Sequence, residues 1–174
     1  MAPFESALVL LVPEAEAIVK DLRDRYDPSA AAGVPAHITL LYPFKHPARI
    51  DDADFDHLVR CAATAPAFDF SLTRTARFPG VLYFVPEPDG AFRRLIDAIC
   101  RLYPETPPYG GKYPAIVPHL TVAQLADERQ LDLVAAELSR ASEGKLPIIA
   151  AASEMALLDT ISGRWEVRAT FKLG

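Results

Sequence analysis

The stretch from Ala36 to Tyr42 reads AHITLLY, and Pro118 to Leu125 reads PHLTVAQL. Each carries a His-x-Thr triplet, His37-Ile38-Thr39 and His119-Leu120-Thr121, in a short apolar run entered from a proline-containing loop. Runs of this length bounded by turn signals predict strands. On a strand, residues i and i+2 share a face. Each imidazole therefore stands beside a hydroxyl, while Ile38 and Leu120 pack on the other side. With 4 histidines among 174 residues, chance places roughly 0.2 such triplets in the chain. Two are present.

Working outward from the triplets, the flanking sequence follows one programme twice. Ser6 to Val12 predicts a buried strand stopped at Pro13-Glu14. Glu14 to Tyr26 then carries Ala17, Ile18, Leu22 and Tyr26 at helical spacing. After the first triplet, Asp51 to Ala65 predicts a helix with acidic residues at its start and a stripe of Phe55, Leu58, Val59 and Ala62. Phe68 to Phe78 alternates as a strand. The second pass begins with the strand Val81 to Val85 and the dipeptide Pro86-Glu87. A helix over Ala91 to Tyr103 follows, with Phe92, Leu95, Ile96, Ile99 and Leu102 as its stripe. Beyond the second triplet, Asp127 to Arg140 predicts a helix ending near Gly144. Leu146 to Asp159 and Arg164 to Phe171 supply closing strands around a Ser162-Gly163 turn. The expectation is an α+β fold over 1–174, a single domain of two pseudo-symmetric βαβ-like lobes, about 1–79 and 80–174. The His-x-Thr strands would face each other across a cleft between the lobes.

Composition narrows the function classes. Hydrophobic residues make 51% and charged residues 24% of the chain, an ordinary globular balance. The net charge of −5 argues against holding a long duplex, whose affinity comes largely from neutralised phosphates. It leaves room for a local site taking one or two phosphates. The apolar run Ala7 to Val12 is too short for a signal peptide or a membrane span. Cys61 and Cys100 have no CxxC spacing and suit a reducing compartment, so a cytoplasmic location is expected. Nothing in the sequence sets the oligomeric state.

Two histidines facing one cleft can divide acid–base work near neutral pH. A neutral imidazole takes a proton from the attacking water or hydroxyl, and a protonated one gives a proton to the leaving oxygen. That chemistry suits phosphodiesters with an alkoxide leaving group. Thr39 and Thr121 would donate to the non-bridging oxygens, where transition-state charge gathers. A lone His-x-Thr is ordinarily a satisfied hydrogen-bonding pair; two copies in matching strands of a repeat are not so easily dismissed. No HExxH or cysteine-rich spacing accompanies them, so neither a metal nor another cofactor is expected.

The HITLLYPF and PHLTVAQL segments, their spacing and the internal repeat resemble the 2H phosphoesterase superfamily, which includes LigT-like "2'-5' RNA ligase" proteins and cyclic nucleotide phosphodiesterases. The resemblance runs from about Ser6 to Phe171. It implies a bilobal α+β fold with antiparallel sheets lining a central cleft. It also implies a hydrolase opening 2',3'-cyclic phosphates of RNA termini or small nucleotides, commonly to 2'-phosphates, with ligation as a reverse reaction. The implied site is His37 and His119 as catalytic residues, with Thr39 and Thr121 on the phosphate. An alternative on the same fold is a nucleotide- or RNA-binding module without turnover. Several LigT-like members carry arginine three residues after the second threonine, where this chain has Gln124. Lys112, Tyr109 or Tyr113 in the loop Pro107 to Pro118 would have to compensate. Tyr42, Tyr83, Phe84 and Trp165 are candidates for stacking on a base. Arg74 and Arg77 are placed at the cleft or at the surface equally well, and His57 on a helix surface. His46 lies outside the repeat.

Overall fold

Pro13 has no N–H to give to a sheet ladder, so the first strand, β1 (Ser6–Leu11), ends just before it. A 3-10 turn over Pro13–Ala15 leads into α1 (Glu16–Tyr26) and the short α2 (Pro28–Ala31), and the chain returns in β2 (His37–Leu41). Next come α3 (Asp52–Thr64), β3 (Phe68–Phe78), β4 (Val81–Glu87) and α4 (Gly90–Leu102). The chain closes with β5 (Leu120–Gln124), α5 (Glu128–Ala141), β6 (Ile148–Ala152), β7 (Glu154–Asp159) and β8 (Glu166–Lys172). These elements belong to a computed structural model that describes residues 4–174.

The strands form two four-stranded antiparallel sheets, ordered β2-β1-β7-β8 and β5-β4-β3-β6. The sheets do not follow the division of the chain at residue 79. β3, from the first half, pairs with β4; β7, from the second half, pairs with β1. Each repeat thus hands its closing strand to the first strand of the other. The helices cross as well: α1 packs against β5 and α4 against β2. Because β1 and β2 meet as Leu11↔His37, the intervening helix leaves and returns at one end of the sheet, and the strands run antiparallel.

Three local expectations are corrected. Leu146 to Asp159 is two strands in two sheets, broken at Ser153. β6 is an edge strand with alternating burial, whereas β7 lies between β1 and β8 and is almost wholly buried. A continuous apolar run cannot reveal that change of sheet. Pro86-Glu87 does not end its strand as Pro13-Glu14 does. β4 continues through it, with Pro86 opposite Leu72 beside a register shift. Val59 (53% exposed) and Leu102 lie on the solvent side of their helices, which leaves Leu58 and Ala62, and Phe92, Leu95, Ile96 and Ile99, as the buried stripes.

Local chemistry agrees with these boundaries. Asp51 and Asp54 close a capping box at the start of α3, a contact worth about 0.5–2 kcal/mol. Phe92 packs edge-on against Phe68 and Phe70, both at 4.9 Å, tying α4 to β3. One face of the first sheet (Leu8, Leu10, Ile38, Leu40) enters the main core with the helices. Its other face carries a smaller apolar cluster of Ala7, Val9, Val34, Ala156 and Leu158. That second face is the floor of a cavity.

Candidate active site

Thr39 stands opposite Val9 in the first sheet, and Thr121 stands opposite Tyr83 in the second. Immediately beyond each threonine the register slips, between Leu8 and Val9 in one sheet and between Leu82 and Tyr83 in the other. Each slip is a β-bulge, which adds one residue and turns the following side chains over. Without it, Leu41 and Ala123 would share the face of the threonines. With it, Tyr42 and Gln124 do, and both line the same cavity of about 960 Å³ as His37, Thr39, His119 and Thr121.

The two imidazoles are held alike. His37 Nδ1–H donates to the Pro35 carbonyl at 2.8 Å, and His119 Nδ1–H donates to the Val117 carbonyl at 2.7 Å. A carbonyl only accepts, so Nδ1 carries the hydrogen and Nε2 is the free nitrogen of each ring. Burial pushes the His37 imidazole down to about 4, aided by the Arg23 charge and by His119 and opposed by the Pro35 bond and Asp27. His119 is also lowered by burial, against the Val117 bond. Its ring is boxed edge-on by Phe78 at 5.2 Å and Tyr83 at 5.3 Å. Both rings therefore favour the neutral form.

Beneath His37 lies an ion pair that the sequence reading did not find. Arg23, 2% exposed, pairs with Asp27 at 3.0 Å and donates to Ser29 Oγ and to the Val34 carbonyl. Asp27 in turn caps the Ser29 N–H. The network fixes the loop that delivers Pro35 and then His37. The Asp27-Pro28-Ser29 sequence has the form of a helix cap and was the one available signal. Gly33, at φ +109°, continues this loop, and a Cβ there would meet the Trp165 carbonyl at 2.9 Å.

The longer loop of the second repeat covers one end of the cavity and supplies Tyr109, Lys112 and Tyr113 to its lining. Tyr109 has φ 51°, and its N–H donates to the Tyr42 carbonyl at 2.6 Å. Tyr42 meets Tyr109 and Trp165 edge-on, at 6.3 and 6.2 Å. Glu5 and Phe78 also line the cavity, and nothing in their sequence context marked them.

Other candidates lie elsewhere. Tyr83 is buried (6% exposed), stacked on Phe78 at 4.4 Å; it supports His119 and offers no face to a ligand. Phe84 is in the core. Arg74 pairs with Glu87 and Arg77 with Asp132, outside the cavity lining. His46 caps a 3-10 turn, and His57 is exposed on α3. Among the described residues no three His, Cys, Asp or Glu side chains converge as a metal site would require, and no helix is long and apolar enough to cross a membrane.

Comparison with known proteins points the same way. The 2'-5' RNA ligase superfamily matches the chain over residues 11–164. No curated protein matches it in sequence. Among solved structures, TT0787 of Thermus thermophilus aligns at a TM-score of 0.65 and 17% identity over 97% of both chains. A crystal structure titled simply phosphoesterase aligns at 0.64 and 15%, covering 98% of this chain and 99% of its own. E. coli LigT complexed with 3'-AMP aligns at 0.60 and 15% over 99% of each chain. At these identities the structural likeness speaks for the fold.

Proposed function

The chain belongs to the 2'-5' RNA ligase superfamily, and on that premise we propose that it is a metal-independent phosphodiesterase opening 2',3'-cyclic phosphates at RNA ends or on small nucleotides. The observation that carries the reading is the matched presentation of His37-Thr39 and His119-Thr121 to one cavity, each imidazole tethered through Nδ1 with Nε2 left for chemistry. Crystals of E. coli LigT with 3'-AMP, ATP, NADP+ and phosphate support a small nucleotide as the ligand class.

In this mechanism the phosphate lies between the histidines, with Thr39 and Thr121 donating to its non-bridging oxygens. His37, held neutral by burial and the nearby Arg23 charge, takes a proton from water as the oxygen attacks phosphorus. The P–O3' bond breaks, and protonated His119 gives its proton to O3'. The products are a 2'-phosphate and a 3'-hydroxyl. The cation on His119 is favoured once an anionic phosphate lies beside it. With an RNA 5'-hydroxyl in place of water, the same transfers produce a 2'-5' linkage.

Incubation with the four nucleoside 2',3'-cyclic monophosphates in EDTA tests the reading. Turnover to 2'-phosphates that survives the chelator is expected. Binding without turnover makes the protein a nucleotide-binding module, and turnover restored only by a divalent metal rejects the two-histidine mechanism.

A further inference from the structure

Glu5 lines the cavity just before β1, four residues along the strand path from Val9, the partner of Thr39, and its position is fixed from three directions. Its N–H donates to Thr160 Oγ1 at 2.9 Å, its carbonyl accepts from the Thr160 N–H at 3.1 Å, and its carboxylate Oε1 accepts from the Tyr42 hydroxyl at 2.9 Å. Burial and the bond to Glu5 raise the Tyr42 hydroxyl to about 12, so it remains a donor. The second carboxylate oxygen has no protein partner among the described residues, and Glu5 lines the cavity. The Tyr42 ring that binds it meets those of Trp165 and Tyr109 edge-on, and all three line the same cavity.

The spacing fits one nucleoside. Val9 is opposite Thr39, and Glu5 lies four residues earlier on the same strand path, about 13 Å away at ~3.3 Å per residue. Part of that distance is covered by the glutamate side chain reaching into the cavity. A phosphate seated at Thr39 would therefore present the far edge of its base to the carboxylate, with the base against the aromatic rings. An ionised carboxylate only accepts hydrogen bonds. Among the four common bases only guanine offers two neighbouring donors on its pairing edge, N1–H and the N2 amino group. Adenine and cytosine place a ring acceptor beside their amino group, and uracil flanks its single N–H with two carbonyls, so each sets a lone pair against the carboxylate.

We propose that Glu5, steadied by Tyr42 and flanked by Trp165 and Tyr109, is a base subsite that selects guanine. The assignment rests on the phosphate position proposed above. It narrows the substrate to a guanosine 2',3'-cyclic phosphate, free or at an RNA end.

Trp165 is the only tryptophan in the chain and lines the cavity, so its fluorescence reports occupancy. Titration with guanosine, adenosine, cytidine and uridine 2'-monophosphates should show guanosine binding at least tenfold tighter than the rest. Glu5→Gln replaces one acceptor by a donor and should bring guanosine down to the level of the others. Tyr42→Phe, which keeps the ring and removes only the hydroxyl, should weaken the preference while leaving the fold intact. Equal affinities, preference for another base, or a guanine preference unchanged in E5Q each overturn the subsite. The four cyclic nucleotides assayed in parallel separate this from the catalytic reading. Guanine-selective binding without turnover sinks catalysis alone, and turnover indifferent to base and to E5Q sinks the subsite alone. Failure of every nucleotide to bind overturns both.

Discussion

Tyr42 and Gln124 occupy equivalent places in the two repeats: each lies three residues after its threonine, and a bulge in each sheet turns it onto the cavity face. The equivalence is geometric, whereas the chemistry has diverged. Tyr42 is bound to Glu5 and packed among aromatic rings, while Gln124 is exposed at the opposite side of the cleft. The duplication therefore supplies two like His-x-Thr faces and two unlike walls.

Gln124 leaves its side of the cleft without a charge, and Gln124→Arg would add one. The variant is expected to bind oligonucleotides ending in a 2',3'-cyclic phosphate more tightly, with a salt dependence steeper by about one phosphate contact. Mononucleotide affinity should change less. Titrations at several salt concentrations check this, and an unchanged slope would show that position 124 does not meet the RNA backbone.

His37→Ala and His119→Ala each remove one half of the proton transfer, and kcat should fall about 10²–10⁴-fold in each. Groups that act as a unit are not additive, so the double variant should lie little below the worse single one. Thr39→Ala or Thr121→Ala removes one phosphate donor and should cost on the order of 10²-fold. Steady-state kinetics on a cyclic nucleotide decides, and near-normal turnover in the double variant would move the chemistry elsewhere.

The roles of the two histidines separate by leaving group. A nitrophenyl phosphodiester expels a weakly basic oxygen that needs no proton, so loss of His119 should matter far less with it than with a cyclic nucleotide. Loss of His37 should hurt both. The pH profile of kcat/KM should be a bell, with an acid limb set by His37 near pH 4 and an alkaline limb set by His119 below its ordinary 6.5. The opposite dependence on leaving group would exchange the assignments.

His37 also links stability to pH. Its imidazole titrates at 6.5 in the unfolded chain and at about 4 in the fold, so between those values the unfolded state binds the proton more readily. Stability is then fully present above about pH 6.5 and declines as the pH falls towards 4. His119, also lowered, acts with the same sign. Urea midpoints at pH 7 and pH 5 should drop less in His37→Ala than in the unaltered protein, each relative to its own value at pH 7.

Asp27→Ala would strand the buried Arg23 charge. Removing one partner of such a pair costs about 3–5 kcal/mol. Arg23→Met with Asp27→Leu, which removes both charges, should recover most of that in chemical denaturation. Turnover should stay impaired in the double variant, because Ser29 and the Val34 carbonyl lose the donor that sets the loop before His37. Equal loss in the single and double variants would mean that the pair carries no unpaired-charge penalty.

What was legible in the sequence was the part written in short-range periodicity. The 2-residue period of AHITLLY put His37 and Thr39 on one face, and the helical stripe of α4 named Phe92, Leu95, Ile96 and Ile99 as core. The repeat itself foretold that two such triplets would share a cleft. Other features depend on partners distant in the chain, and no local pattern encodes them. The crossing of β3 and β7 between sheets is set by which strand edges are free when the halves meet. The bulges that expose Tyr42 and Gln124 arise from a mismatch between paired strands, invisible in either strand alone. The burial that lowers His37 and His119 comes from walls contributed by Phe78, Tyr83 and the Arg23–Asp27 loop. Glu5 became part of the cavity only because Thr160, 155 residues away, holds it there. Residue type and spacing determined which groups could do the chemistry. The tertiary structure decided their protonation, their neighbours and the shape of what they can hold, because desolvation and strand register are properties of the assembled chain.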